Sequence, residues 1–396
     1  MACDIRFALK SCKSKAVVKA FGLAEIGADV SSVGEIRRAI DGYIPMSRIS
    51  YTGPQKPDHD LMVCLSAGIA VHIDTPSEAD RMIALARRTK TTPRVMLRLK
   101  PELAGHSRFG MSANALHLCA LALKDAGVTI EGIAYHLGGY AIADRIKAAS
   151  ECLAIAGSLE EHGIHCRAID IGGGFPMRYL ESDEEDASLE ALPRWGKASM
   201  RGDYPYHSAI SGRQAAAEIL DGILAQDRNR AILKRLDMAV IMEPGRALLD
   251  QCGLSAFKVI GRKDIAGGMS LLVLDGMNFS LSETWFGADF LPTPFLVNRQ
   301  GCFPCTGARF ALAGRSCMES DFIRRIGVDF PVEPEAGDLI VFVNTAGYQM
   351  DSNESGFHEH PIPKKVAAIQ TQMGWRAVHD EIYSIEEFHN DHLTHQ

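Results

Sequence analysis

Short apolar runs alternate with segments of helical periodicity over roughly the first 245 residues. The runs predict eight strands, at residues 5–9, 26–30, 49–52, 69–73, 94–98, 130–136, 167–171 and 238–243. The segments between them predict helices, at residues 15–23, 33–40, 77–88, 112–126, 141–163 and 211–226. Eight strands in strict alternation with helices predict a (β/α)8 barrel. A doubly wound open sheet is the alternative.

The pattern changes after residue 245. Strand-like runs at 254–260, 270–275, 294–297, 308–313 and 338–343 are separated by Gly, Pro and Asn, with few helical patterns. This predicts two domains, a barrel over residues 1–245 and a β-rich, sandwich-like or barrel-like domain over residues 246–396. One stretch, residues 181–208, fits neither pattern, and its length predicts a functional loop or a mobile excursion.

Composition and charge exclude several classes of function. Of 396 residues, 46% are apolar and 23% are charged, which is ordinary for a globular protein. A net charge of −7 provides no basic surface for nucleic acid or an anionic membrane. No long uninterrupted apolar run predicts a membrane span, and the first residues lack the basic and apolar segments of a signal peptide.

Ten cysteines are scattered along the chain, and only Cys302 and Cys305 form a C-x-x-C pair. No second pair or histidine cluster completes a zinc site, so no metal is expected. The histidines near the end of the chain, His358 and His360 among them, are expected on a polar surface. The scattered cysteines favour a reducing, cytoplasmic compartment.

Side chains with chemical potential recur where the predicted strands end. Lys10 follows the first strand, His136 ends the sixth, and Glu243 ends the eighth. A partly desolvated lysine amine forms Schiff bases, although a lysine pointing into water is the alternative for Lys10 taken alone. Because active sites of barrels lie at the carboxyl ends of the strands, we expect these three residues on one rim.

Two further groups on the same rim suit a phosphate. Asp170 leads into the run Gly172-Gly173-Gly174, whose backbone N–H groups are not obstructed by a Cβ atom. Arg246, just beyond the eighth strand, supplies a charged, forked donor. Each motif alone is common in loops and turns, so their joint placement is what predicts a site for a phosphate-bearing cofactor.

In these motifs the chain resembles the fold-type III pyridoxal 5'-phosphate (PLP)-dependent decarboxylases, the family of the ornithine, diaminopimelate and arginine decarboxylases. The matching segments follow one another over nearly the whole chain: Phe7-Ala8-Leu9-Lys10, 27–35, Arg98-Leu99-Lys100-Pro101, 107–111, His136-Leu137-Gly138, Gly172-Gly173-Gly174-Phe175, Glu243-Pro244-Gly245-Arg246, Asp275-Gly276-Met277-Asn278, Gly314-Arg315-Ser316-Cys317 and Ala346-Gly347-Tyr348. The resemblance implies a barrel of the alanine-racemase type, PLP as cofactor and decarboxylation of an amino acid.

The resemblance also implies a role for each site residue. Lys10 would hold PLP as a Schiff base and later move protons, and His136 would stack on the ring. Glu243 would keep the ring nitrogen protonated, with Asp170 as support for the His136 region. The phosphate would be held by Gly172, Gly173, Gly174, Arg246 and Tyr348. Cys317 would act as an acid in the site of the other subunit, which implies a homodimer with shared sites.

Four departures from the family's pattern bear on cofactor and substrate. Gly139 stands where the family has a phosphate-contacting serine, and Met318 stands where an acidic residue contacts the distal amine of the substrate. Ala346-Gly347 inverts the usual Gly-Ala before the tyrosine, and nine residues precede Lys10 where the family has some tens. The candidate substrate contacts are Asp289, Glu319 and Asp321.

The expected function is decarboxylation of a basic or dicarboxylic amino acid, or of an amino acid from specialised metabolism. One alternative is a PLP-dependent racemase or epimerase of the same fold. Alanine racemases, however, lack the Gly-Gly-Gly-Phe and cysteine-containing motifs present here. The other is a non-catalytic regulator like the antizyme-inhibitor relatives of ornithine decarboxylase, against which Lys10, Glu243 and Arg246 argue.

Overall fold

The computed structural model describes residues 2–196, 206–264, 269–283, 291–298 and 309–382, and these form two compact units. The described part of unit 1 is residues 2–175, 213–245 and 365–382. Unit 2 contains residues 176–196 and 206–212 and the described residues between 246 and 364. One break between the units lies after Gly245. Segment 176–212 belongs to unit 2, and segment 365–382 belongs to unit 1.

Unit 1 is built on a closed barrel of eight parallel strands that follow one another in chain order. The strands are β1 (Cys3–Ala8), β2 (Gly27–Val30), β3 (Ile49–Tyr51), β4 (Ala70–Ile73), β5 (Arg94–Arg98), β6 (Thr129–Ala134), β7 (Ala168–Asp170) and β8 (Ala239–Met242). The barrel closes between β8 and β1, where Cys3 pairs with Val240 and Ile5 with Met242. The predicted barrel is confirmed, and the open doubly wound sheet is excluded.

Nine helices lie in the described part of the chain, mostly between barrel strands. They are α1 (Lys15–Leu23), α2 (Val33–Asp41), α3 (Asp58–Ala67), α4 (Pro76–Thr89), α5 (Ala113–Asp125), α6 (Ile142–Glu161), α7 (Asp183–Glu190), α8 (Gly212–Ala225) and α9 (Asp227–Arg235). The hydroxyls of Ser14 and Ser32 cap α1 and α2. No described helix is both long and apolar enough to cross a membrane.

Three of these helices were not predicted: α7 lies in the irregular stretch 181–208, and neither α3 nor α9 has a clear apolar stripe. The buried side of α3 includes the acidic residue Asp60, and no side chain caps its first turn. In α9 the buried residues are Asn229, Ile232 and Leu233, and the rest of the helix is strongly charged. Packing against the barrel therefore stabilises α3 and α9 where the local pattern is weak.

Unit 2 is a six-stranded sheet with an apolar core of its own. Its strands are β9 (Leu254–Asp264), β10 (Met269–Leu274), β11 (Phe295–Val297), β12 (Arg309–Ala313), β13 (Phe322–Asp329) and β14 (Leu339–Val343), in the order β11-β14-β9-β10-β12-β13. Phe310, Leu312 and Phe342 are fully buried in this core. The expected β-rich region is confirmed, but β13 was missed because Arg324-Arg325 interrupts its apolar pattern.

The segment after the barrel's seventh strand packs on the sheet of unit 2. Trp195 stacks on Phe322 with ring centroids 5.9 Å apart, and its backbone N–H donates to the Arg325 carbonyl at 2.9 Å. Gly327 donates to the Pro193 carbonyl, also at 2.9 Å. The described part of the irregular 181–208 stretch is therefore a packed excursion that includes α7, and residues 197–205 lie outside the described residues.

A hairpin of two further strands, β15 (Val366–Thr371) and β16 (Gly374–His379), belongs to unit 1. Just after it, the Asp380 carboxylate accepts hydrogen bonds from the Ser14 hydroxyl at 2.6 Å and from the backbone N–H groups of Lys15 at 2.8 Å and Ala16 at 3.0 Å. A carboxylate at a helix N-terminus is stabilising. This contact, more than 360 residues away in sequence, cannot be read from local patterns.

Candidate active site

Lys10, His136, the glycine run and Glu243 converge at the carboxyl ends of the barrel strands in unit 1. Lys10 lies in a short 3-10 turn directly after β1. Backbone hydrogen bonds join the turns that follow the strands: Glu243 donates to the Gly172 carbonyl at 2.9 Å, and Ala8 donates to the Pro244 carbonyl at 3.1 Å. The rim expected from the sequence is therefore present.

A buried acidic cluster lies next to Lys10. Asp29, Asp170 and Glu243 are 3%, 0% and 6% exposed. Burial raises the pKa of each carboxyl group, that of Asp170 to about 6, while the Lys10 charge lowers the pKa of Asp29 and Glu243. Lys10 therefore faces the acidic cluster, which argues against the alternative of a lysine that only meets water.

The glycine run after β7 is fastened by two side chains of the site. Gly172 donates to Asp170 Oδ1 at 2.8 Å, and Gly173 donates to His136 Nδ1 at 3.3 Å. Gly172 has a φ of 65°, and a Cβ atom there would lie 2.7 Å from the Tyr135 carbonyl oxygen, so no other residue fits. Two of the N–H groups expected to face a phosphate are thus engaged within the protein. In these contacts Asp170 is connected to His136 through the backbone of the glycine turn.

His136 stands at the open mouth of the barrel, where solvent reaches its side chain. Loss of hydration, followed by the positive charges of Lys10, Arg98 and Arg145, lowers the pKa of its imidazole. Water at the mouth of the barrel screens these charges. The imidazole is therefore neutral at pH 7. Neutral Nδ1 accepts the hydrogen bond from Gly173, which fixes the ring's position.

Arg145, on α6, joins the two glycine-containing turns and was not predicted. It is 1% exposed and donates to four backbone carbonyls, those of Gly173 at 3.1 Å, Ala141 at 3.2 Å, Leu137 at 3.3 Å and Gly139 at 2.7 Å. A Cβ atom on Gly174, whose φ is 84°, would lie 1.6 Å from Arg145 Nη2. The third glycine is therefore required to admit this guanidinium.

Two charged or polar side chains inside the barrel also escaped prediction, Arg6 of β1 and His72 of β4. They are 5% and 1% exposed. His72 Nδ1 lies 3.0 Å from Thr52 Oγ1, and His72 Nε2 lies 3.8 Å from Asp170 Oδ2. One ligand-type atom each from His72, Asp170 and Glu243 falls within 4.8 Å of the others. Such a spacing would also suit a metal ion, but the Arg6 charge acting on this cluster disfavours a divalent cation.

We predict that His72 makes the protein acid-sensitive. Burial, together with Arg6, Lys56 and Arg98, holds its pKa well below 6.5 in the folded state. The unfolded chain binds a proton near pH 6.5 and the folded chain does not, so the contribution of His72 to stability is complete above pH 6.5 and falls below it. Between pH 7 and pH 5 this costs about 2 kcal/mol of unfolding free energy.

Urea unfolding at pH 7 and pH 5 tests this prediction. His72→Gln should lose about 2 kcal/mol less than the wild type on acidification. The raised pKa of Asp170 increases the unfolding free energy as the pH falls from about 6 to 3.8. This contribution cancels in the comparison because both proteins contain Asp170. The exposed His106 serves as control, and His106→Gln should retain the wild-type difference. Equal acid sensitivity of wild type and His72→Gln would contradict the prediction.

Arg246 and Tyr348 lie together in unit 2, with two residues that were not predicted. The Arg246 guanidinium donates to Tyr179 Oη at 3.1 Å and lies 4.9 Å from the centroid of the Tyr348 ring. Gln349 Nε2 donates to the same Tyr179 oxygen at 3.0 Å. A Cβ atom on Gly347 would lie 2.7 Å from Arg246 Cγ, so the inverted Ala-Gly order places glycine where the arginine passes.

The Cys317 loop in unit 2 is held by Asp321. The Asp321 carboxylate is 3% exposed and accepts backbone hydrogen bonds from Asn278 at 2.7 Å and from Ser316 at 2.9 Å. Asp321 was expected as a substrate contact, but both of its carboxylate oxygens are engaged in supporting this loop. Cys317 and Glu319 are exposed beside it. The third expected substrate contact, Asp289, lies outside the described residues.

These features define a class of protein: a (β/α)8 enzyme whose rim carries a lysine, a buried carboxylate cluster and a glycine turn. Residues 2–250 match the family described as pyridoxal-dependent decarboxylase, pyridoxal binding domain, and the chain belongs to this family. The protein is therefore a PLP-dependent decarboxylase of the ornithine, arginine and diaminopimelate decarboxylase type, and its cofactor is PLP.

Comparisons with individual proteins agree with this family. An uncharacterized protein, y4yA, of Sinorhizobium fredii is 33% identical over 383 residues, which are 93% of this chain and 82% of that protein. A diaminopimelate decarboxylase of Zymomonas mobilis is 27% identical over 72% of this chain and 63% of its own length. In fold, the chain is similar to a diaminopimelate decarboxylase of Helicobacter pylori solved with L-lysine, with a TM-score of 0.75, 20% identity and coverage of 98% and 91% of the two chains.

The residues of the barrel fit PLP by two observations. Glu243 Oε1 is buried without a hydrogen-bond partner among the described residues, as expected of a carboxylate that pairs with a protonated ring nitrogen. Cβ atoms on Gly138 and Gly139 would meet nothing within 4 Å, so the turn beside His136 leaves open space at the rim. The glycine that replaces the family's serine thus faces room for a cofactor but offers no hydroxyl.

Proposed function

We propose that the protein decarboxylates an amino acid with a basic or dicarboxylic side chain, and that Lys10 binds its PLP covalently. The observation that carries this proposal is Glu243 Oε1, an atom that is buried without a hydrogen-bond partner among the described residues, in a carboxyl group on which the Lys10 charge acts. When bound, PLP supplies an electron sink for the charge left on the substrate carbon as CO2 departs. The remaining steps are tasks of the protein's own side chains.

Each site residue has one task in this proposal. Glu243 holds a proton on the ring nitrogen, and Asp170 fixes the glycine turn beside it. His136, neutral and oriented by Gly173, offers its ring face to the cofactor. The phosphate contacts that the family resemblance implies remain the glycine run, Arg246 and Tyr348. Cys317 gives a proton to the substrate carbon after CO2 has left.

Exposed residues near Cys317 and the relatives support the proposed substrate class. Met318 carries no charge, and Asp321 is engaged by backbone N–H groups. Exposed Glu319 is therefore the candidate contact for a distal amine among the described residues of this loop. The relatives include diaminopimelate decarboxylases, and a lysine/ornithine decarboxylase is similar in fold; the substrates in these names are of this class.

Two further properties belong to the proposal. A homodimer with shared sites is expected, because Cys317 would serve the site of the partner chain. A cytoplasmic location is expected because the ten cysteines are scattered along the chain, which suits a reducing compartment.

We predict that Tyr179 supports cofactor binding by orienting Arg246. Tyr179→Phe removes the acceptor shared by Arg246 and Gln349, so the PLP dissociation constant should rise about fivefold, equivalent to roughly 1 kcal/mol. A titration followed by absorbance measures this constant. Tyr43→Phe, at a tyrosine that is 56% exposed, serves as control and should leave it unchanged. An unchanged constant in Tyr179→Phe would contradict the role.

The proposed reaction is tested by CO2 release from a panel of amino acids with PLP present. We expect release from a basic or dicarboxylic amino acid and not from small apolar ones, and Glu319→Gln should raise the KM for a diamine-type substrate. Loss of chirality without CO2 would instead indicate a racemase. If no amino acid of the panel releases CO2 or loses its chirality, the proposed substrate class is refuted.

A further inference from the structure

Cys317 is in contact with a histidine. Cys317 Sγ lies 3.0 Å from His358 Nε2, across 41 residues of sequence within unit 2. Both side chains are exposed. A thiol and an imidazole within hydrogen-bond distance form the arrangement that activates cysteines in enzymes.

Two separate anchors hold this pair together, and both use the same short segment of unit 2. On the cysteine side, Asp321 binds the backbone N–H groups of Ser316 and Asn278. On the histidine side, Phe357 packs edge-on against Phe279, the residue after Asn278, with ring centroids 5.7 Å apart. Neighbouring residues of one segment thus fix the loops that carry the thiol and the imidazole.

The backbone at His358 is held in a costly conformation. His358 has a φ of 56° and Glu359 a φ of 57°, in the left-handed region that residues other than glycine rarely adopt. Such a conformation is unfavourable for residues other than glycine and persists where the surroundings enforce it. The Phe357 ring, 4.0 Å from the His358 ring between centroids, is part of that enforcement.

We propose that His358 is the proton partner of Cys317. In the thiol form Cys317 Sγ–H donates to His358 Nε2, and after proton transfer the imidazolium N–H donates to the thiolate. This rests on the proposed function for the use of the proton. When the Sγ–H bond breaks to protonate the substrate carbon, a thiolate is left beside a neutral imidazole. His358 Nε2 then takes up a proton from solvent and passes it to Sγ, so the one proton that replaces CO2 on the carbon is supplied by water.

Alkylation of the protein without substrate tests the pair. Iodoacetamide reacts with the thiolate, and mass spectrometry of peptides separates Cys317 from exposed Cys3, which serves as an internal reference. At pH 7 we expect Cys317 to react roughly tenfold more slowly in His358→Asn than in the wild type. At pH 9.5, where thiols ionise without help, the two rates should agree within about twofold.

The matched control is His360→Asn, because the His360 ring lies 6.2 Å from the His358 ring on the same stretch. It should react like the wild type at both pH values. Equal rates in wild type and His358→Asn at pH 7 would overturn the proposal. A slowing by the same factor at pH 7 and pH 9.5 would also overturn it, because it would indicate altered access instead of altered protonation.

A second measurement links the pair to turnover. His358→Asn should lower kcat about tenfold with little change in KM, since the imidazole acts on the thiol and not on substrate binding. If the kcat of His358→Asn equals that of the wild type at every pH between 6 and 9, His358 does not supply protons to Cys317. If the wild type releases no CO2 but the alkylation rates behave as expected, the proposed function fails and the thiol–imidazole pair stands.

Discussion

Lys10→Ala is expected to abolish the absorbance band near the edge of the visible range that protein-bound PLP gives. The rate of CO2 release should fall roughly a thousandfold or more. The amine that forms the covalent bond is lost, and Lys10 is the lysine whose charge acts on Asp29 and Glu243. Lys10 is exposed at the mouth of the barrel, so we expect the fold to persist.

Lys13→Ala is the matched control for this variant. Lys13 lies three residues further along the chain, just beyond the turn, and its charge acts on Glu35 together with that of Lys10. It should retain the absorbance band and the activity within about twofold. Full activity in Lys10→Ala, with a band of normal intensity, would refute the assignment of the lysine.

The second large effect is expected at Arg145. Arg145→Leu leaves four backbone carbonyls of the glycine-containing turns without their donor, and we expect the unfolding free energy to fall by about 3–5 kcal/mol. The same turns border the His136 ring and the open space at Gly138 and Gly139, so PLP affinity should fall at least tenfold.

Arg145→Lys keeps the prediction testable if the leucine variant does not fold. A lysine ammonium cannot span all four carbonyls, so it should give intermediate losses of both stability and PLP affinity. The exposed Lys147, two residues along α6, is the control, and Lys147→Leu should change stability by less than about 0.5 kcal/mol. Wild-type stability and wild-type PLP affinity in Arg145→Leu would contradict the role of Arg145 in joining the two glycine-containing turns.

The barrel could be predicted because parallel strands buried on both faces leave short apolar runs, and helices between them leave caps such as Ser14 and Ser32. Lys10, His136 and Glu243 could be predicted because each directly follows such a run. Their gathering on one rim is a property of the closed barrel and needs no further information.

The residues that were not predicted lie where the local sequence pattern does not reveal their contacts. Arg145 lies in a helix and reads as a surface residue, yet its partners are carbonyls of two turns elsewhere in sequence. Arg6 and His72 interrupt apolar strands, and that interruption was the available signal for an inward-facing polar site. Tyr179 falls in an irregular stretch without periodicity. Asp380 acts through a contact that local patterns cannot reveal.

Asp321 illustrates the limit of carrying a role over by sequence position alone. The residue type and spacing suit a substrate contact, but burial and two backbone N–H groups show its carboxylate supporting the Cys317 loop. His358 shows the reverse case, because a histidine expected on a polar surface lies against the cysteine.

The most direct test of the central claim is chemical trapping of the cofactor. Borohydride treatment of the PLP-loaded protein makes the bond between a lysine and PLP permanent, and peptide mass mapping then locates it. We predict a single modified peptide that carries the added mass on Lys10. Added mass on another lysine, or none on any lysine, would contradict the account.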